Sequence, residues 1–405
     1  MKSWKWIVLG AFVVSLILVA VAQRGTAAAQ NGPEDLSDPY EVDPNWPQPL
    51  HNDSDWSRTG AIFAESPNRV YVMQTGELPR GYRTSKDPDN PNYPGRAFPA
   101  ANYCGMPGLT CTPGESPLLY KGKPIPGSRW EHLLLIFDAN GKLVESWEQH
   151  NHLFTHPHGI LIDPNDPERH VWVVDDGSEQ VFKFTHDGKK LVMTLGEFRV
   201  KGNDQTHLGG PNGMAFLPNG DFYVSDGYKN SRIVKFSKEG KYLMEFGKPP
   251  TGPAGGSSAN RYGPGVFRTP HSVEVAADGR IFVGDRGNYR IQVFDKSAKY
   301  LSEITAVYPN ALAISKDQRY LYVGQGGPDG RSELRTYSLN GKLLSSWGRP
   351  YGIHPGEIWG IHDFSADSDG NLYLAEAFGG RAWKYRPKKG ADSRFLFGPF
   401  KKNSF

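Results

Sequence analysis

Cysteine is nearly absent from this 405-residue chain, where Cys104 and Cys111 are the only two. A disulfide-stapled scaffold is therefore excluded. The pair closes one small loop in a Gly/Pro-rich stretch if the protein meets an oxidising compartment, and otherwise remains as two loop thiols. Charge of one sign is lacking too. Forty-six Lys and Arg against 43 Asp and Glu leave a formal charge of +3, and no basic run or stripe marks a nucleic-acid surface. No capped helical period of ten residues interrupts residues 57–405, which argues against a helical fold. What is plentiful is glycine (47), proline (32) and aromatic side chains (12%). That composition suits many short strands joined by tight turns. Length alone admits two or three domains or one large β architecture.

The strands recur. An apolar or aromatic signature occurs six times, as LLIF at Leu134–Phe137, VFKF at Val181–Phe184, IVKF at Ile233–Phe236, IQVF at Ile291–Phe294, LRTY at Leu334–Tyr337 and AWKY at Ala382–Tyr385. The closing aromatics fall 43 to 58 residues apart, a propeller-blade period rather than a helical-solenoid one. Hairpin turns at Asp187-Gly188, Asn219-Gly220, Asp278-Gly279, Asn340-Gly341 and Asp369-Gly370 punctuate them. Upstream of each of the last five signatures lies an opening segment (HPHGILID, GPNGMAFL, TPHSVEVA, YPNALAIS, GIHDFSAD), with His158, Asn212, His271, Asn310 and His362 at one shared slot. Blades around a common axis hold equivalent positions at equivalent radius and height. Histidines in blades two, four and six are thus expected on a three-fold triangle, the outline of a metal site. His156 is a rival to His158, but the match of Pro-His-Gly to Pro-His-Ser favours His158.

The expected organisation is an all-β, six-bladed propeller over residues 57–405. Residues 30–56 precede it as a leader. Residues 75–131, containing PDNPNYPG and YCGMPGLTC, form a long insertion in the first blade, read as a functional loop or lid. The closing FLFGPF is expected to dock as an extra strand. Residues 1–29 have the order of an export signal: Lys2 and Lys5, then apolar Trp6 to Ala22, then small residues. Either this segment is removed or it stays as an N-terminal anchor. Both place the folded part outside the cytoplasm, periplasmic or extracellular, with the membrane involved only through that segment, and a monomer is expected.

The segments PHGILID, VSDGYKNSRIVKFSKEGKYLMEFG, PHSVEVAADGRIFVGDRGNYRIQVF and IHDFSADSDGNLYLAEA resemble NHL-type propellers. More narrowly, over about residues 57–390, they look like the peptidyl-α-hydroxyglycine α-amidating lyases, also called peptidylamidoglycolate lyases. The resemblance implies a catalytic zinc on His158, His271 and His362, whose three neutral imidazoles leave an open coordination position. It implies Tyr228 as general base and Arg286 as a carboxylate holder. It further implies a structural calcium held by Asp363 with backbone carbonyls including that of Ile160. The implied reaction breaks an N-acyl α-hydroxyglycine into a primary amide and glyoxylate, on a small-molecule or peptide substrate.

The chain departs from this pattern in one telling place. A second substrate-binding arginine, expected at the end of an inner strand of the first blade, is replaced by Gln74 and Thr75; Arg80 or Arg83 would have to reach inward instead. The bland alternatives are an aromatic packing role for Tyr228, a structural partnership of Arg286 with Asp285, and a turn cap for Asp363. Arg232, Arg290 and Gln180 are read as structural. The competing function is a non-catalytic exported propeller that binds a peptide, protein or glycan.

Overall fold

The period-two patterning of the repeats emerges as six four-stranded antiparallel sheets in the computed structural model. The structure describes residues 38–51, 54–80, 126–251, 262–327, 332–352 and 355–403, with short strands at 109–110, 119–120 and 123–124. The N-terminal export segment, Arg83, Cys104 and Cys111 lie outside the described residues, as does most of the 75–131 insertion. Each sheet is one blade. The first strands are Thr59–Ser66, Pro157–Ile162, Pro211–Phe216, Pro270–Val275, Pro309–Ile314 and Ile361–Ala366. Each contacts the first strands of both neighbouring blades, so these six are innermost and line the channel. Where the hairpins turn, Gly220 and Gly279 take φ of 85° and 86°, a left-handed conformation that costs glycine little.

Six apolar clusters hold the ring together, one between each adjacent pair of blades. In the first of them Phe63, Tyr71 and Ile136 meet Phe154, Ile160 and Phe182. A blade buries both faces only by stacking on its neighbours, so the ring must close to be stable. Closure takes place in blade six. Tyr40–Val42, from the segment expected to precede the propeller, pairs antiparallel with Arg381–Pro387 as the outermost strand. The C-terminal FLFGPF does not supply a strand: its Phe400 makes only an isolated bridge to Ser315. It packs instead through Phe397 and Phe400, both buried in the cluster between blades five and six.

A further regularity positions the site. In every blade the register of the innermost strand slips near its start: between Thr59 and Ala61, Pro157 and Gly159, Pro211 and Gly213, Pro270 and Ser272, Pro309 and Ala311, and Ile361 and Asp363. The residues in the slip are Gly60, His158, Asn212, His271, Asn310 and His362. A bulge leaves one residue unpaired and re-aims its side chain. Proline opens four of these strands, at a position that needs no ladder N–H. The shared histidine slot is therefore a ring of six bulges around one channel.

Candidate functional site

The three bulge histidines come together. Their ligand nitrogens lie within 4.8 Å of one another, and all three side chains are buried. Ring centres are 4.5 Å apart for His158 and His362, 4.8 Å for His158 and His271, and 5.0 Å for His271 and His362. Each Nδ1 donates to the backbone carbonyl of the next bulge around the ring: His158 to Asn212 (2.7 Å), His271 to Asn310 (2.7 Å) and His362 to Gly60 (2.5 Å). A carbonyl can only accept, so the proton sits on Nδ1 and each Nε2 presents a lone pair. Burial holds the imidazoles uncharged. It pushes His158 down to about 3 and His271 and His362 well below the ordinary histidine range, with the Arg58 guanidinium acting in the same direction on all three and that of Arg286 on His271 and His362. Three neutral, oriented nitrogens with carbonyl partners fit a tetrahedral metal that keeps one position open. Among the described residues they form a possible metal-binding cluster.

Tyr228 reaches this cluster from blade three. Its hydroxyl lies 3.0 Å from His158 Nε2 and 3.1 Å from His271 Nε2. The loop that carries it is pinned by Asp226, which accepts from the Gly209 N–H and from the side chains of Asn230 and Arg232. The N–H groups of Gly227 and Tyr228 both donate to the Gly210 carbonyl. A Cβ on Gly227 would sit 1.9 Å from the Pro270 carbonyl, so only glycine lets the loop approach blade four this closely. Burial raises the Tyr228 phenol above its ordinary value, while the Arg286 and Arg58 guanidiniums pull it back.

Arg286 comes from the matching loop of blade four. It is not the partner of Asp285, whose carboxylate takes the side chains of Asn288, Arg290 and Gln292. Its Nη1 lies 3.4 Å from the Tyr228 hydroxyl and 3.3 Å from Asn310 Oδ1. The guanidinium stacks 5.1 Å from the Tyr228 ring centre and 5.0 Å from that of Tyr308. His156, the rival ligand, pairs with Asp176, and its ring centre is 6.2 Å from that of His158. It is not a member of the three-histidine cluster.

Sequence reasoning missed Arg58. This residue is 2% exposed and precedes the blade-one bulge, and its Nη2 donates to His362 Nε2 at 2.8 Å. Its backbone carbonyl accepts from the N–H of Thr75, the very position where an arginine was expected. Arg58 therefore places a guanidinium beside the histidines from the short link that leads into the first strand of blade one. Arg80 does not reach the site, since its guanidinium points to the His51 carbonyl at 3.5 Å. The only available signal was Arg58 lying two residues before a slot that reads glycine rather than histidine or asparagine.

Around Asp363 the arrangement does not fit calcium. Asp363 Oδ2 accepts the Ile62 N–H at 3.1 Å and Oδ1 the Phe364 N–H at 2.9 Å, and the Lys402 ammonium stands 3.6 Å from Oδ1. Ile160 lines the same cavity. A hard dication needs six to eight oxygens free to turn toward it, whereas here the cavity's two carboxylates, Asp363 and Glu274, already face the ammonium groups of Lys402 and Lys401. A second group, His51, Glu77, Glu131 and His132, also gathers on blade one. There Arg129 lies 3.7 Å from Glu77 and 3.4 Å from Glu131, so the local cation is a guanidinium.

Comparison with known proteins agrees with this architecture. The NHL repeat model matches residues 208–236 and 267–294, the stretches of blades three and four that carry Tyr228 and Arg286. Peptidyl-glycine alpha-amidating monooxygenase B of Xenopus laevis is 30% identical over 287 residues, 64% of this chain and 29% of that protein. A probable peptidyl-alpha-hydroxyglycine alpha-amidating lyase of Caenorhabditis elegans is 37% identical over 200 residues, 46% of this chain and 53% of that protein. The chain thus spans less than a third of the first relative and about half of the second. A solved Bacteroides thetaiotaomicron protein of unknown function shares the fold, with a TM-score of 0.52 and 11% identity over 86% of this chain and 73% of that one. The chain is an NHL-repeat six-bladed β-propeller that resembles the peptidyl-α-hydroxyglycine α-amidating lyases.

Proposed function

We propose that this protein is a zinc-dependent carbon–nitrogen lyase that converts an N-acyl α-hydroxyglycine, at the end of a peptide or a smaller acyl group, into a primary amide and glyoxylate. The observation that carries the reading is the Tyr228 hydroxyl, poised within about 3 Å of two of the three converging imidazoles. His158, His271 and His362 would hold the zinc, which supplies Lewis-acid polarisation of the substrate hydroxyl. Tyr228 takes the proton from that hydroxyl. The electrons of the O–H bond then form the aldehyde carbonyl, the C–N bond breaks, and the amide nitrogen leaves with the proton that Tyr228 returns. Electron count is conserved and no oxidant is needed. Arg286 and Arg58 flank the site as paired guanidiniums suited to the substrate carboxylate.

Burial keeps the Tyr228 phenol in its un-ionised form, so Tyr228 depends on nearby positive charge to form the phenolate that acts as base. Arg286 at 3.4 Å supplies part of it. A propeller that only binds peptides or glycans has no use for three imidazoles with fixed tautomers facing one point. Export, with residues 1–29 as signal or anchor, completes the reading.

The test is glyoxylate release from an α-hydroxyglycine peptide by zinc-loaded protein, beside Tyr228→Phe. The wild type should turn over, and the variant should keep its zinc but lose about 10²- to 10⁴-fold in rate. Zinc-loaded wild type with no glyoxylate release would end the lyase reading.

A further inference from the structure

The far end of the channel carries a feature that the lyase reading leaves unused. The histidines stand near the starts of the innermost strands, and the C-terminal segment lies at the ends of those strands. There the Lys316 N–H donates to the Pro399 carbonyl at 2.8 Å, and Phe400 bridges to Ser315. Phe400 packs 5.2 Å from Tyr322 and 5.4 Å from Phe364, ring centre to ring centre. So anchored, the single 3-10 turn Lys401–Asn403 touches the innermost strands of blades one, two and five. A segment that meets strands from both sides of the ring lies across the channel mouth.

Both lysines of this turn point into the protein. Lys401 Nζ donates to the Val275 carbonyl at 2.7 Å, and Lys402 Nζ donates to the Phe364 carbonyl at 3.0 Å. Val275 closes the innermost strand of blade four, and Phe364 lies two residues before the end of that of blade six. Lys402 also stands 3.6 Å from Asp363 Oδ1 and 5.4 Å from the Phe364 ring centre. The cavity of about 70 Å³ behind it is lined by His158, His271 and His362 toward one end and by Glu274, Asp363 and Lys402 toward the other. Two acidic side chains in that channel thus face two ammonium groups. Burial raises the Glu274 carboxyl to about 7, and Lys401 and Lys402 pull against that rise.

We propose that the C-terminal turn is a built-in plug, and that the Lys402 ammonium supplies Asp363 with the positive charge that the resembling lyases would take from a calcium ion. A tethered cation is always present, whereas a free ion must be captured, so folding of this chain becomes independent of calcium. The plug also closes the cavity behind the histidines to water from that face. The inference does not rest on the lyase reading, because it concerns what holds blades one and six together at Asp363.

Thermal unfolding at saturating zinc, with calcium chloride titrated from zero to millimolar, tests it alongside calcium analysis of the purified protein. The wild type is expected to carry no stoichiometric calcium, with a Tm that does not move. Lys402→Gln should unfold several degrees lower and recover part of that loss as calcium is added, and Lys402→Arg should behave as the wild type. If Lys402→Gln fails to fold at all, Asp363→Asn combined with Lys402→Gln should restore folding by removing both charges. About one calcium per wild-type chain, a calcium-dependent wild-type Tm, a Lys402→Gln Tm equal to the wild type, or a double variant that still does not fold would each overturn the proposal.

Discussion

Blades two, four and six and blades one, three and five use the same bulged position for opposite jobs. The even blades offer side chains, His158, His271 and His362, with lone pairs facing the channel. The odd blades offer backbone, the carbonyls of Gly60, Asn212 and Asn310, each accepting the Nδ1 proton of a histidine from the preceding blade. One six-fold frame thereby yields a three-fold ligand set and, between the ligands, the hydrogen bonds that orient it. The difference teaches that substitutions in the two sets should act through different quantities. Even positions should govern metal content, and odd positions should govern packing and orientation.

The largest effect is expected from His271→Ala. Losing a ligand should cost more than the roughly 10- to 100-fold in affinity typical of an outer partner, so the variant should purify nearly metal-free by elemental analysis while the wild type holds about one zinc. Retention of zinc would break the comparison at its centre. Acid should come next. The folded-state values of the three imidazoles are depressed below the unfolded value of about 6.5. Their contribution is thus fully present above pH 6.5 and is lost as pH falls toward the depressed folded values. Each loses up to about 1.4 kcal/mol per pH unit in that window. Zinc-stripped protein should therefore melt progressively lower from pH 6.5 to 4.5, and His158→Asn should flatten the slope.

Arg58→Gln sharpens the comparison from blade one, where the bulge itself is glycine. Loss of a charged hydrogen bond of about 1.5–3 kcal/mol predicts a rise of about 10- to 100-fold in KM for the carboxylate substrate, with a smaller change in kcat. The methyl ester should be handled equally by both proteins, and an equal loss on the ester would assign Arg58 to structure alone. The smallest effects belong to the odd asparagines. Asn310 donates to the Gly326 and Ile361 carbonyls at 2.9 and 2.8 Å, so Asn310→Ala should lower stability by about 1–3 kcal/mol. The Asn212 side chain finds no partner among the described residues. Asn212→Ala keeps the carbonyl that serves His158, and should change zinc content and denaturant midpoint little, within about 1 kcal/mol.

Much of this was legible in the chain because it repeats. The aromatic signatures and turn dipeptides are local patterns, and six copies reveal a ring without any knowledge of long-range contacts. The histidine slot was legible for the same reason, since symmetry converts a sequence register into a spatial one. Arg58 was not, because its meaning depends on His362, 304 positions away. The same holds for Tyr40–Val42, which completes a blade whose other strands lie at the opposite end of the chain. It holds as well for Lys402, which in sequence is one more basic residue of an exposed-looking tail.

By itself the sequence determined the number of blades, the strands within them and the three imidazoles, all set by hydrophobic period, turn chemistry and repetition. Tertiary structure alone decided which nitrogen of each histidine is protonated, which arginine stands at the site and which cation faces Asp363. Those outcomes depend on groups far apart in the chain, brought within hydrogen-bond distance only when the ring closes.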